Sequence, residues 1–209
     1  MVIPLDEVEA RVLGALVEKS LTTPDLYPLT LNGLINACNQ KTSRDPVMSL
    51  DAATAGRGLH SLIGKSLAGR LHEPGGRVPK FMHHIEFLLN TEDAKTVGAI
   101  CVLLLRGPQT PGEIKTRTDR LCEFTSSAEV ESLLQDLAAR PEPFVVQLPR
   151  QPGQKEARYR HLFSGAPAAA APIAAGASAP ADRISLLEKR VEALEAIVAS
   201  LAPKSEAAA

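Results

Sequence analysis

The chain carries almost no net charge, with 23 lysines and arginines against 24 aspartates and glutamates in 209 residues. That balance excludes a histone-like polycation that coats nucleic acid indiscriminately, but it leaves room for a local basic patch. Cysteine is scarce: Cys38, Cys101 and Cys122 are an odd number at wide spacing, with no CxxC pair. Neither a disulfide framework nor a thiolate metal site is expected, and such usage suits a reducing cytoplasm. No apolar run approaches the roughly 20 residues that a membrane span needs. The opening Met1-Val2-Ile3-Pro4-Leu5-Asp6-Glu7 also lacks the basic flank of a signal peptide. A cytoplasmic protein without membrane contact is the expectation.

Catalytic signatures are missing too. No Gly-rich phosphate loop occurs, since Gly75-Gly76 reads as a turn. Serine, histidine and aspartate occur without a spacing or elbow that nominates a triad. His83-His84 are neighbours at a strand end and point to opposite faces, which suits shared metal ligation badly. No enzymatic activity, metal or cofactor is expected.

What is present is ordinary soluble composition, 44% hydrophobic and 22% charged, which excludes wholesale disorder. The composition breaks at Ser164, after which residues 164–181 are almost entirely Ala, Pro, Gly and Ser. This stretch reads as a semi-stiff linker. Residues 182–201 then form a periodic helix, and 202–209 a disordered tail.

The body before Ser164 reads as one unit used twice. Leu13-Gly14-Ala15-Leu16-Val17 leads to Thr23-Pro24, and Ile100-Cys101-Val102-Leu103-Leu104 leads to Thr110-Pro111, an offset of 87. Leu59, Leu62 and Lys65 match Leu134, Leu137 and Arg140 at an offset of 75, so the first copy carries about 12 extra residues in its middle. The copies span residues 1–90 and 91–163.

Each copy reads as three helices followed by a two-stranded ribbon. In the first, Leu5, Val8, Val12 and Leu16 recur at helical spacing, with Asp6 and Glu9 suited to the first turn. Thr30 can cap a second helix and Ser49 a third, with strands over 67–72 and 77–84 around a Gly-Gly turn. In the second copy, a helix over 91–105 precedes capping boxes at Thr110-Pro111-Gly112-Glu113 and Ser126-Ser127-Ala128-Glu129, then strands over 144–148 and 157–163. The fold class is therefore mainly α with small β-hairpins (α+β). The element order is that of tandem winged-helix (helix-turn-helix) domains, followed by a C-terminal coiled-coil helix.

The segment Leu34-Ile35-Asn36-Ala37-Cys38-Asn39-Gln40-Lys41-Thr42-Ser43-Arg44-Asp45-Pro46 resembles the signature of the YceH-like bacterial proteins. Val12 to Lys19 and Thr23 to Thr30 are similar to that family as well, and the likeness spans about residues 5–163. The resemblance implies tandem winged-helix domains and brings no particular activity with it.

Charge is unevenly distributed. From Lys41 to His84 seven cations face three acids, a surplus of four inside a copy whose own total is zero. In a helix-turn-helix the third helix enters the major groove and the wing lies over the backbone. Candidate contacts to double-stranded DNA are therefore Lys41 and Arg44 on the approach, Arg57 and His60 on the third helix, and Arg70, Arg77 and Lys80 on the wing. The same charges would also serve as a merely solvated face. In the second copy the third helix carries Glu129, Glu131 and Asp136, which a phosphate-lined groove repels. Its hairpin, with Arg150, Lys155, Arg158 and Arg160, is basic. That copy suits a protein partner better.

In the terminal helix Ile184, Val191 and Val198 fall at heptad position a, and Leu187, Leu194 and Leu201 at d. β-Branched a positions with Leu at d favour parallel dimers, and Arg183 and Arg190 face Glu188 and Glu195 across such a pair. A homodimer is expected, the alternative being a helix docked on its own body. The functional expectation is a DNA-binding, transcription-regulator-like protein that works mainly through its first copy. The alternative is an interaction scaffold whose winged helices grip proteins.

Overall fold

The computed structural model describes residues 3–72, 78–150 and 156–164. Arg77 and the predicted linker, terminal helix and tail lie outside the described residues, as do Ile184, Leu187, Val191, Leu194, Val198 and Leu201.

The described chain is mainly helical with small antiparallel strand pairs. In order it forms α1 (Glu7–Thr22), β1 (Leu29–Thr30), α2 (Leu31–Cys38), α3 (Ala52–Gly64), β2 (Ala68–Leu71), β3 (Lys80–His83) and α4 (Ile85–Leu89). Then follow α5 (Ala94–Arg106), α6 (Pro111–Thr118), α7 (Ser127–Ala138), β4 (Val145–Gln147) and β5 (Tyr159–His161). The predicted offset of 87 carries the start of α1 onto the start of α5, and that of 75 carries the start of α3 onto the start of α7.

Local chemistry sets the helix starts. Asp6 Oδ1 accepts from Glu9 N–H, and the Glu9 carboxylate accepts from Asp6 N–H, both at 2.7 Å. Thr110 and Glu113 close the same reciprocal box with Pro111 at the first helical position. Thr30 caps α2 by accepting from Gly33 N–H at 3.2 Å. α3 starts later than the sequence suggests. The Asn39 amide pairs both ways with the Leu50 backbone at 2.8 Å and holds the segment extended, so the cap falls to Asp51 instead of Ser49. At α7 Ser126 caps as expected, but Glu129 reaches one residue further back, to the Thr125 N–H and hydroxyl.

α1 and α5 form the centre. From Ala10 to Val17 and from Val97 to Leu105 they are buried on every side, because each packs against its own copy and against the other central helix. At Gly14, a residue whose repeat equivalent is Cys101, a Cβ would lie 3.0 Å from Leu105, and the Cys101 thiol meets the Gly14 carbonyl at 3.5 Å. A single apolar core therefore runs through both copies. The chain leaves α5 through Gly107, whose φ of 66° and ψ of −148° suit only glycine.

Three strands, in order β1-β3-β2, pair antiparallel, with Leu29 opposite Phe81 and Ala68 opposite His83. β4 pairs with β5, and Gln109 bridges Tyr159 where β1 would fall in the repeat. The two-stranded ribbon expected in the first copy thus gains a third strand. That strand is two residues long, too short to show alternation.

Candidate nucleic-acid interface

The seven predicted contact residues fall in different places. Arg57 and His60 are exposed on the outer face of α3, where Arg57 donates to Thr54 Oγ1 at 3.0 Å. Lys41 is exposed in the segment after α2. Arg70 is exposed on β2 with its guanidinium 5.6 Å from the Phe81 ring centre. Arg77 lies outside the described residues.

Lys80 is half-buried on β3, opposite Leu71, while Arg70 is opposite Phe81. Because successive strand residues face opposite ways, Arg70 and Lys80 lie on opposite faces of the sheet. Lys80 instead joins Lys19, Asn36 and Gln40 around a groove of about 560 Å³ between α1, α2 and the sheet. Lys19 gave no signal in the sequence, because only the fold brings the end of α1 beside β3.

Arg44 is a correction to the sequence reading. Its side chain has no exposed surface, and all five of its N–H donors are engaged internally. Nε and Nη2 donate to the Ala37 carbonyl, Nη1 to the Ser43 carbonyl, and Nη1 and Nη2 to the Glu18 carboxylate at 3.1 and 2.6 Å. No donor remains for a phosphate. Arg11 is buried beside it, bonding the carbonyls of Cys38, Pro46 and Leu105. The segment after α2, which carries the end of the family-like signature, is thereby fastened to both copies. The Asp45 N–H donates to the same Leu105 carbonyl at 3.0 Å.

The second copy presents a different face. The outer side of α7 exposes Glu131, Ser132, Gln135 and Asp136. Glu129 is paired with Lys95, and this contact, followed by the Thr125 hydrogen bonds, holds its carboxyl down to about 2. Arg158 of the basic hairpin is drawn inward, donating to Glu113 at 2.9 and 3.1 Å.

One serine–histidine–carboxylate contact occurs that the sequence did not reveal. His83 Nε2 lies 2.9 Å from Ser20 Oγ, and Glu86 lies 3.8 Å from Nδ1. Nδ1 accepts from the Ile85 N–H at 3.3 Å, and the Ser20 hydroxyl donates to the Val17 carbonyl at 2.8 Å. The proton therefore sits on Nε2, pointing at Ser20, and the imidazole has no lone pair there to act as a base. Burial, reinforced by His84 and opposed by Glu86, lowers the His83 pKa.

Burial pushes the Cys38 thiol up to about 12 and Cys122 to about 11, and raises Cys101 as well, so all three are poor nucleophiles. Among the described residues no group of three or more His, Cys, Asp or Glu side chains is placed to hold a metal. Among the same residues no helix is long and apolar enough to cross a membrane.

Fold and surface thus define a mainly helical protein with small antiparallel strand pairs, one apolar core and a cation-bearing α3. The chain belongs to the family described as "Protein of unknown function, DUF480", whose model matches residues 5–154. It is 46% identical to a UPF0502 protein of Aeromonas hydrophila, over 98% of this chain and 97% of that one. It is 50% identical to a UPF0502 protein of Opitutus terrae, over 91% of this chain and 83% of the relative.

Proposed function

We propose that the chain is a tandem winged-helix protein that binds duplex DNA through its first copy, as a regulator would, rather than an enzyme. The observation that carries this reading is the outer face of α3. No acidic residue lies between Ala52 and Gly64, Arg57 and His60 are exposed, and a Cβ at Gly56 would meet nothing within 4 Å among the described residues. A mid-helix glycine with no internal contact costs about 0.5–1 kcal/mol relative to alanine. It leaves a smooth strip on which a DNA groove can lie close to the backbone. Arg57 and His60 flank that strip and reach base edges, with Lys41, Arg70 and Arg77 on phosphates. The heptads from Ile184 to Leu201 pair two chains and place two such helices on one duplex.

A second reading, a protein-binding scaffold, is favoured by a different observation. Leu71 and Val78 at the first hairpin and Phe87 on α4 expose 40, 58 and 65% of their surface. Titrating duplex binding against salt separates the two readings. The DNA reading expects affinity that falls steeply with salt and is weakened in Arg57→Glu, whereas absence of binding at low salt leaves only the scaffold.

A further inference from the structure

A groove of about 360 Å³ lies where α1 and the segment after α2 meet α5 and α6. Three arginines line it: Arg106 at the end of α5, Arg117 in α6 and Arg120 just beyond it. Among the described residues the Arg106 and Arg120 side chains have neither a hydrogen bond nor an ion pair. Arg117 reaches only Glu113, at 3.7 Å, and that carboxylate is already held by Arg158 at 2.9 and 3.1 Å.

The acids nearby do not answer this charge. Glu18 lines the groove, but Arg44 takes both its oxygens and Lys19 lies 3.2 Å from one of them. Asp119 is the other lining carboxylate, one charge against three. Arg106 is half-buried, and its pKa is lowered first by that burial, then by the charges of Arg117 and Arg44. A half-buried guanidinium beside the Arg117 charge, with no acid bonded to it among the described residues, is costly alone and favourable beside a multivalent anion.

We propose that this groove binds a small phosphate ester, its phosphate gripped by Arg106, Arg117 and Arg120. The guanidinium fork pairs two donors with two phosphate oxygens, and a phosphate monoester presents three oxygens and close to two charges. A lone carboxylate, with two oxygens and one charge, leaves one of the three arginines unmatched. Val102, Leu105 and Leu121 give the rest of the ligand an apolar floor, and the unengaged Ser43 hydroxyl faces it across the groove. Ser43 comes from the first copy and the arginines from the second, so the bound ester bridges the two. None of these residues belongs to the proposed duplex-contacting set, so this inference stands whether or not the DNA reading does.

The test titrates the full chain with inorganic phosphate and with a nucleoside monophosphate, at constant ionic strength against chloride. Thermal midpoint and calorimetric heat are followed. The expected result is a saturable rise in midpoint with both phosphates and none with chloride. Affinity should fall at least tenfold in Arg106→Gln and in Arg120→Gln. Arg120 is exposed and unbonded, so its variant keeps the fold. No saturable shift, or undiminished binding in both variants, would overturn the proposal. Displacement of the nucleoside monophosphate by a short duplex would overturn it too, because the groove would then be part of a polynucleotide surface.

Discussion

Arg44 illustrates how a cation can be structural without any mark in its sequence neighbourhood. Its guanidinium is desolvated, and only the Glu18 carboxylate balances the charge. Removing one partner of such a buried pair leaves the other uncompensated. Glu18→Ala should therefore cost about 3–5 kcal/mol in urea unfolding. Arg44→Glu should unfold the chain outright, so it cannot report on DNA. His161 makes a pH-dependent contribution. Burial, and secondarily Arg160, hold its pKa down to about 4, and its Nδ1 has no partner among the described residues. The unfolded chain binds a proton on this ring near pH 6.5 while the folded chain does not. Stability is therefore full above about 6.5 and falls as the pH drops toward 4, by up to about 3 kcal/mol. Thermal midpoints from pH 7 to 4.5 should decline in the parent and decline less in His161→Leu, with the lowered His83 accounting for part of the remainder.

Among the elements, α3 supplies a contrast between two glycines two residues apart. A Cβ at Gly58 would lie 2.8 Å from Val8 Cγ1, whereas one at Gly56 would meet nothing. Gly58→Ala should cost about 1–3 kcal/mol by forcing α1 and α3 apart. Gly56→Ala should instead stabilise the fold by about 0.5–1 kcal/mol in urea unfolding while weakening duplex binding. A gain in stability without loss of binding would show that Gly56 faces no groove. The elements also show which features were legible. The caps at Thr30 and Thr110 could be read because a cap is a local contract between residues three apart, whereas Asp6, expected only in the first turn of α1, turned out to cap it. Cap placement at Asp51 could not, because it depends on Asn39 closing onto Leu50, eleven residues away. α4 was missed: five residues ending at Asn90, with φ 49°, are too few for periodicity to show. The burial of Arg44 and the gathering of Arg106, Arg117 and Arg120 depend on how the two copies pack, which the repeat pattern does not encode.

At the scale of the whole molecule, neutrality of the sum conceals specialised faces. The first copy presents Arg57 and His60 on a third helix without acids, and the second presents Glu131 and Asp136 on its own. The two share one core through α1 and α5, so a ligand or duplex held by one copy meets a body that responds as a unit. Pairing of the terminal heptads is tested in the full chain by sedimentation: the parent should run as a dimer and Leu187→Lys/Leu194→Lys as a monomer. The central claim is that the first copy grips duplex DNA by charge. The direct measurement is duplex affinity as a function of salt for the parent and for Arg57→Glu. Three phosphate contacts for each bound chain, from Lys41, Arg70 and Arg77, predict a log–log slope of roughly −3 per chain, with weaker binding in the variant. Absence of binding at low salt, or an affinity unchanged by Arg57→Glu, would contradict it.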